Sequence, residues 1–392
     1  MMDCAKKELG QITTTINGLW TGKKPPFINI AVIRNTNFSK DCRLKMDDVA
    51  MIDVEVKQFA SRKLQMGDII IEKSGGSDKQ PVGRPVLFNI PEGDYSFSNF
   101  TSTLRVNDQG VILPEYLHKF LYKFYLTGKT AEMQSKTTGL RNLDFNAYKA
   151  IKVPVPSIEE QQRIVDELNL LTSIIDKKNA QLRDLDALAQ SIFYEMFGDP
   201  IINERGWPYK RLDEVAKIVG GATPKTQIAD YWTGNNFWVT PAELRGNKYQ
   251  GSTERTISDE AVRKTNVNLL PVGTVLLSSR APIGKVAITT VPMYCNQGFK
   301  NLVCSEQLCN EYAYQALKCK TEYLNSLGTG ATFKEISKKT TEAIRLAIPP
   351  IELQKSFADK AIKIEEQKGM VSQSLKEAEK LFNSRMDYYF ND

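Results

Sequence analysis

The chain has 392 residues, 41% of them hydrophobic, with six cysteines, one histidine and a formal net charge of +6. That length fits two domains, no apolar run approaches the ~18 residues of a membrane span, and the N-terminus lacks a signal-peptide core, so a cytoplasmic location is expected. With no C-x-x-C pair and only His118, a zinc site is not expected, and the thiols read as reduced and scattered.

In chain order, residues 1–152 come first, with short β-rich runs such as "FINIAVI" and "DIIIE" between loops rich in Gly, Pro, Asn and Thr. A short helical stretch lies near the end. This predicts a mixed α+β domain of curved, mostly antiparallel strands. "PSIEEQQRI" at 156–164 then opens residues 153–198. Ser157 and Glu160 make a capping box after the extended "VPVP". Ile164, Leu168, Leu171, Ile175, Lys178, Leu182, Leu185, Ala189, Ile192 and Met196 follow at alternating spacings of four and three. That is a heptad seam on a helix of about 40 residues, roughly 60 Å long. Residues 199–346 return to β-rich runs, "NFWVT", "TVLLSS" and "KVAITT". Residues 347–392 open with "PPIELQKSF" and carry a rougher seam of Phe357, Ala361, Ile364, Lys368, Val371, Leu375, Ala378, Phe382, Arg385 and Tyr389. Its interruptions are Lys368 and Arg385.

The two helical segments are copies of one another. They align without a gap at an offset of 193 residues, sharing Pro156/Pro349, Glu159/Glu352, Gln161/Gln354, Leu188/Leu381 and Phe197/Phe390. Upstream the echo drifts: "MGDIIIEKSGG" against "VGTVLLSSRAP" at 206, and "PEYLHKFL" against "NEYAYQAL" at 196. Internal duplication therefore predicts globule, helix, globule, helix, with the helices held at one length while the globules gained and lost residues. Two such helices can bury their stripes against each other, the pairing positions being Ile164, Leu168, Leu171, Ile175, Leu182, Leu185, Ile192, Phe357, Ile364, Val371, Leu375 and Phe382.

Charge separates these parts. Residues 1–156 carry +6 and residues 198–350 carry +5, whereas the helical segments carry −4 and −1. A polyanionic partner for the globules follows as a hypothesis. Catalytic chemistry is not apparent. "GKT" at 128–130 lacks the earlier glycine and preceding strand of a phosphate loop. Glu55 and Lys57 in "DVEVK" could belong to a metal-dependent nuclease only with an upstream carboxylate from Asp41, Asp47 or Asp53. No N-P-P-aromatic loop or glycine-rich cofactor turn is present, and His118 sits within a helical run.

The second globule opens with "GWPYKRLDEVAKIVGGATPKTQIADYWTGNNFWVTPAEL", followed by "SSRAPIGKVAI", "NQGFKNLV", "GTGATFKEI" and "IPPIELQ". This series resembles the specificity subunit of type I restriction-modification enzymes. The first half resembles it more loosely, through "GDIIIEKSGG", "SNFTSTLRV" and "TTGLRNLDFNAYKAIKVPVPSIEEQQRI", and lacks the G-G-x-T-P opening. The resemblance implies two target-recognition domains, each reading half of a split double-stranded DNA sequence, with the two helices paired antiparallel as a ruler between them. It implies docking of two methyltransferase subunits, and of restriction subunits in a nuclease complex. S-adenosylmethionine, ATP and Mg2+ would belong to those partners, and this chain would bind no cofactor and catalyse nothing. A coiled-coil scaffold with two protein-binding modules is the alternative, though it leaves the basic bias of the globules unexplained.

Base edges are read by Asn, Gln, Arg, Ser and Thr on loops, while Lys and Arg grip phosphates. On the second domain the candidates are Thr223, Lys225, Thr226, Arg245, Arg280, Lys285, Asn296, Gln297, Lys300, Thr329, Thr332 and Lys334. On the first they are Arg34, Asn35, Lys73, Ser74, Lys79, Arg84, Asn99, Thr101, Ser102, Arg105, Thr138, Arg141 and Asn142. Gly221, Gly284 and Gly328 are expected to serve backbone turns.

Overall fold

A computed structural model describes residues 5–20, 22–77, 80–137, 140–330 and 334–391. The chain condenses into two compact units, Met1–Lys178 with Ser374–Asp392, and Asn179–Gln373. Each unit thus contains part of both long helices, Ile158–Phe197 and Ile351–Phe390.

In the first unit a four-stranded antiparallel sheet runs in the order Thr13–Asn17, Thr101–Val106, Ile69–Glu72, Pro85–Leu87. The "IIIE" strand is buried at every residue. Because side chains alternate across a strand, Ile69 and Ile71 enter one core with Leu104, Tyr116 and Leu117, while Ile70 enters another with Val86, Phe88 and Phe97. A second sheet pairs Phe27–Ile33 antiparallel with Ala50–Glu55 and parallel with Tyr95–Phe97. The second unit repeats this plan. Its sheet runs Ala216–Gly220, Lys300–Cys304, Val275–Leu277, Val286–Thr289, Tyr249–Gln250, and Val275 and Leu277 face one core while Leu276 faces the other. Most strand pairs in both units are antiparallel, as the short runs and turn-rich loops predict.

The repeated helix opening has a physical cause. Gln161, fully buried, accepts a hydrogen bond from the Leu113 amide (2.8 Å) and donates to the carbonyls of Val111 (3.0 Å) and Pro156 (2.9 Å). Gln354 does the same with the Cys309 amide (2.9 Å) and the carbonyls of Gln307 (3.1 Å) and Pro349 (2.8 Å). Each amide side chain ties the first turn of a long helix to the segment that opens the short helix, Pro114–Leu126 or Asn310–Cys319. Buried backbone polar groups must be paired, and one glutamine satisfies three of them. A parallel correspondence joins Tyr116 to the Pro154 carbonyl (3.1 Å) and Tyr312 to the Ala347 carbonyl (2.6 Å).

The long helices pack antiparallel. In the first unit, Ile164, Leu168 and Leu171 share a core with Phe382, Met386 and Tyr389. In the second, Phe193 and Phe197 lie edge-on to Phe357, with ring centroids 5.4 and 5.6 Å apart. Both pairings match the start of one helix with the end of the other. Ile364, Val371 and Phe382 are buried, Ile175 and Ile192 partly so, and Leu182, Leu185 and Leu375 are half-buried. The two seam interruptions are ion-paired. Lys368 reaches Asp186 at 2.8 Å and Glu365 at 3.0 Å, and Arg385 pairs with Glu167 beside Tyr389.

Two motifs resolve as local structure. Gly128 has φ +77° and joins the helix Pro114–Leu126 to the short 3-10 helix Lys129–Met133, so "GKT" is a junction between two helices. Glu55 accepts hydrogen bonds from the amides of Lys23 (2.6 Å) and Lys24 (2.5 Å), tying down that loop. Among the described residues no His/Cys/Asp/Glu group is arranged to hold a metal ion, the five described cysteines are free, and no helix is long and apolar enough to cross a membrane.

Gln354→Leu should leave the Cys309 amide and two carbonyls unpaired at about 1–3 kcal/mol each. Hydrogen exchange should show the Cys309 amide opening at least about 10-fold faster, and Gln161→Leu should do the same at Leu113. Lys355→Ala, one position along on the exposed face, should change neither.

Candidate nucleic-acid interface

At one end of the five-stranded sheet, several loops close into one surface. The Ala222 amide bonds the Cys295 carbonyl (3.0 Å), Asn296 the Val239 carbonyl (3.1 Å), Ser279 the Gly298 carbonyl (2.8 Å) and Ile336 the Ser279 carbonyl (2.8 Å). Gly221 is required there, because a Cβ would lie 2.1 Å from the Asn296 carbonyl oxygen. Gly284 has φ +86°, which fits the tight turn between the strands Val275–Leu277 and Val286–Thr289.

Charge gathers at the centre of this surface. The Glu335 carboxylate takes Arg280 Nε on one oxygen (2.9 Å) and Lys300 Nζ on the other (3.3 Å), and Lys300 also reaches Ser279 Oγ at 3.3 Å. Burial opposes the charge on Glu335, but the hydrogen bonds from Arg280 and Lys300 outweigh it and hold its pKa below the ordinary carboxylate value. Lys285 extends to the Pro241 carbonyl (3.3 Å). Thr223 donates to Gln297, and Arg245 pairs with Glu254. Lys225, Thr226, Thr329 and Lys334 are exposed. Asn296 is half-buried, its side-chain oxygen accepting from the Gly298 amide (2.9 Å).

The first unit builds the same backbone lattice. Leu19 bonds the Phe97 carbonyl (2.8 Å), Ser98 that of Ile33 (2.9 Å), Lys73 that of Phe100 (2.9 Å), and Leu143 that of Lys73 (2.8 Å). Gly18 takes the place of Gly221, since a Cβ there would lie 1.9 Å from the Ser98 carbonyl oxygen. On this surface Ser74 donates to Asn142 (2.5 Å), Asn35 reaches Glu72 at 3.5 Å, and Arg34 stands 3.8 Å from Asp48. Asn99 and Arg141 are half-buried alongside. Lys73 is half-buried too, and desolvation lowers its pKa.

Three first-domain candidates are withdrawn from the surface, and a fourth, Arg105, is half-buried and tied to a buried carboxylate. Arg84, with its side chain 7% exposed, pairs with Glu72 (2.7 Å) and donates to the Phe38 carbonyl (3.1 Å). Thr101 and Ser102 are fully buried on the strand Thr101–Val106. Arg105 holds both oxygens of buried Asp68 at 2.7 Å. The two arginines satisfy buried carboxylates, which their loop-like sequence context conceals. Lys79, Thr138 and Thr332 lie outside the described residues. Other surface groups were not singled out by sequence: Trp20 and Phe100 are exposed, and the Arg255 guanidinium stacks 3.5 Å from the centroid of the Trp232 ring. The "NGLW" run, offset by 203 residues from "GGAT", is the signal that would have located Gly18.

Residues 4–184 and 204–378 each match the model of the type I restriction modification DNA specificity domain. The chain belongs to this family. It is 37% identical to the MjaIX specificity subunit of Methanocaldococcus jannaschii over 39% of this chain, a match spanning only 37% of that protein. It is 23% identical to the EcoR124I/EcoR124II specificity subunit of Escherichia coli over 76% of this chain and 75% of that one. With the HindI specificity subunit of Haemophilus influenzae the identity is 19% over 93% and 94%. The fold is shared with the type I S subunit of M. genitalium, at TM-score 0.60 and 12% identity over 100% and 98% of the two chains. A chain of a type I R-M system structure concerned with complex assembly gives 0.58 at 20% identity, over 98% and 97%. Specificity subunits are the non-catalytic members of these systems. The family places a DNA specificity domain in each half of the chain, which decides against a scaffold with two protein-binding modules.

Breaking the buried pair with Arg84→Ala should cost about 3–5 kcal/mol of stability. Arg280→Ala, at a surface pair, should cost no more than about 1 kcal/mol. Thermal unfolding of the two variants checks the contrast.

Proposed function

We propose that this specificity subunit reads a bipartite duplex, one half-site per β-rich domain, and fixes the unread spacer between half-sites through its paired helices. The observation that carries this reading is the duplication of one loop lattice in two domains, each tied to its own long helix by a buried glutamine. The lattice offers Arg280, Lys285, Lys225, Lys334 and Arg245 on the second domain, and Arg34, Lys73, Ser74, Asn35, Arg141 and Asn142 on the first. These are groups suited to phosphate and base-edge contacts. The internal repeat gives two equivalent places for a partner, and hence two methyltransferase subunits, with restriction subunits joining a nuclease complex. S-adenosylmethionine, ATP and Mg2+ are assigned to those partners.

Four residues inserted into each helix together add about 6 Å, just under two base-pair steps of 3.4 Å. The modified motif should then keep both half-sites while its spacer lengthens by about two. An unchanged spacer removes the ruler. Lys285→Ala should weaken binding to all sequences and make the dependence of log affinity on log salt shallower by about one contact. Wild-type affinity and slope would place the DNA elsewhere.

A further inference from the structure

Glu335 is the feature of the second domain that phosphate gripping does not explain. A carboxylate at the centre of a surface that meets a polyanion is repelled whatever the sequence. Two carboxylates of neighbouring loops are committed: Glu243 accepts from the Thr240 amide (2.7 Å) and the Glu254 amide (2.7 Å), and Glu254 pairs with Arg245. Glu335 is held from several directions. Its backbone pairs both ways with Thr329 (3.1 and 2.9 Å), and the next amide, Ile336, bonds Ser279 at 2.8 Å. Its side chain remains 34% exposed. Each oxygen takes one of the hydrogen bonds above, so about half of the ~four acceptor positions of a carboxylate remain open. The Arg280 pair uses Nε and leaves the terminal nitrogens for other acceptors.

Resting on the duplex reading above, we propose that Glu335 and Arg280 together read one C·G pair in the second half-site. The Glu335 carboxylate accepts from the N4 amino group of the cytosine in the major groove. The terminal nitrogens of Arg280 donate to O6 and N7 of its guanine. A fixed acceptor beside a fixed donor complements the donor-then-acceptor edge of that pair. Adenine sets its N7 acceptor next to its amino group and so opposes a carboxylate, and thymine offers a methyl group with no donor. Lys300, whose side chain is 12% exposed, positions the carboxylate from beneath.

Two measurements test this on the assembled complex. Modified sites in the host should show, for Glu335→Ala, one C·G position of one half-site relaxed about 10-fold or more, with the other half-site and the spacer retained. The wild-type complex should lose affinity about 10-fold or more when N4-methylcytosine replaces that one cytosine, and Glu335→Ala should no longer feel this replacement. A Glu335→Ala motif unchanged in sequence, with binding weakened equally at all sites, would overturn the assignment and leave Glu335 as a loop fastener. Should the variant not assemble, the wild-type series still decides: no cytosine sensitive to N4-methylation overturns the proposal. Absence of any chain-dependent motif in the wild-type host would instead refute the underlying duplex reading.

Discussion

A glutamine with no exposed surface, set in the first turn of each long helix, is the joint on which the architecture depends. Its amide group meets one N–H and two carbonyls that the meeting of two chain segments would otherwise strand in an apolar interior. Stranding them is costly, so the start of each long helix is fastened to the segment opening the short helix by hydrogen bonds as well as by apolar contact. A reading surface on the sheet is thereby fastened to a helix through few and stiff connections. The surrounding aromatic contacts, Phe193 and Phe197 on Phe357 and Tyr116 on Phe390, add packing to that joint from the partner helix.

The duplication has kept the backbone and released the side chains. Corresponding amides and carbonyls hold the loop surfaces of both units, and a glycine stands at the same crowded approach in each, Gly18 and Gly221. The polar groups laid on that lattice differ. One surface centres on Glu335 with Arg280 and Lys300, the other on Ser74 with Asn142 and a half-buried Lys73. This is what reading two different half-sites with one scaffold requires, because discrimination resides in side chains at base edges while the backbone only presents them.

The parts legible in the sequence were those governed by periodicity. Heptad spacing located both helices, and Lys368 and Arg385 appeared as interruptions because their partners, Asp186 and Glu167, sit on the other helix, beyond the reach of a one-helix pattern. Gln161 and Gln354 were visible as repeated letters, yet their burial followed only from the tertiary fold. The site was less legible. Arg84, Arg105, Thr101 and Ser102 have the composition of a binding loop, but Glu72, 12 residues away in sequence, draws Arg84 inward, Asp68, 37 residues away, engages the half-buried Arg105, and strand pairing buries the other two. Glu335 carries no sequence signal of its own, because its two cations, Arg280 and Lys300, lie 55 and 35 residues away in the chain.

The most direct test of the central claim exchanges one reader and leaves the frame. Residues 199–346 would be replaced by the matching domain of a relative with a different target, keeping both long helices, and the modified bases in the host would be sequenced. One half-site should change to that of the donor, while the other half-site and the spacer stay as they were. Alteration of both half-sites, or of the spacer, would contradict two independent readers held by a common pair of helices.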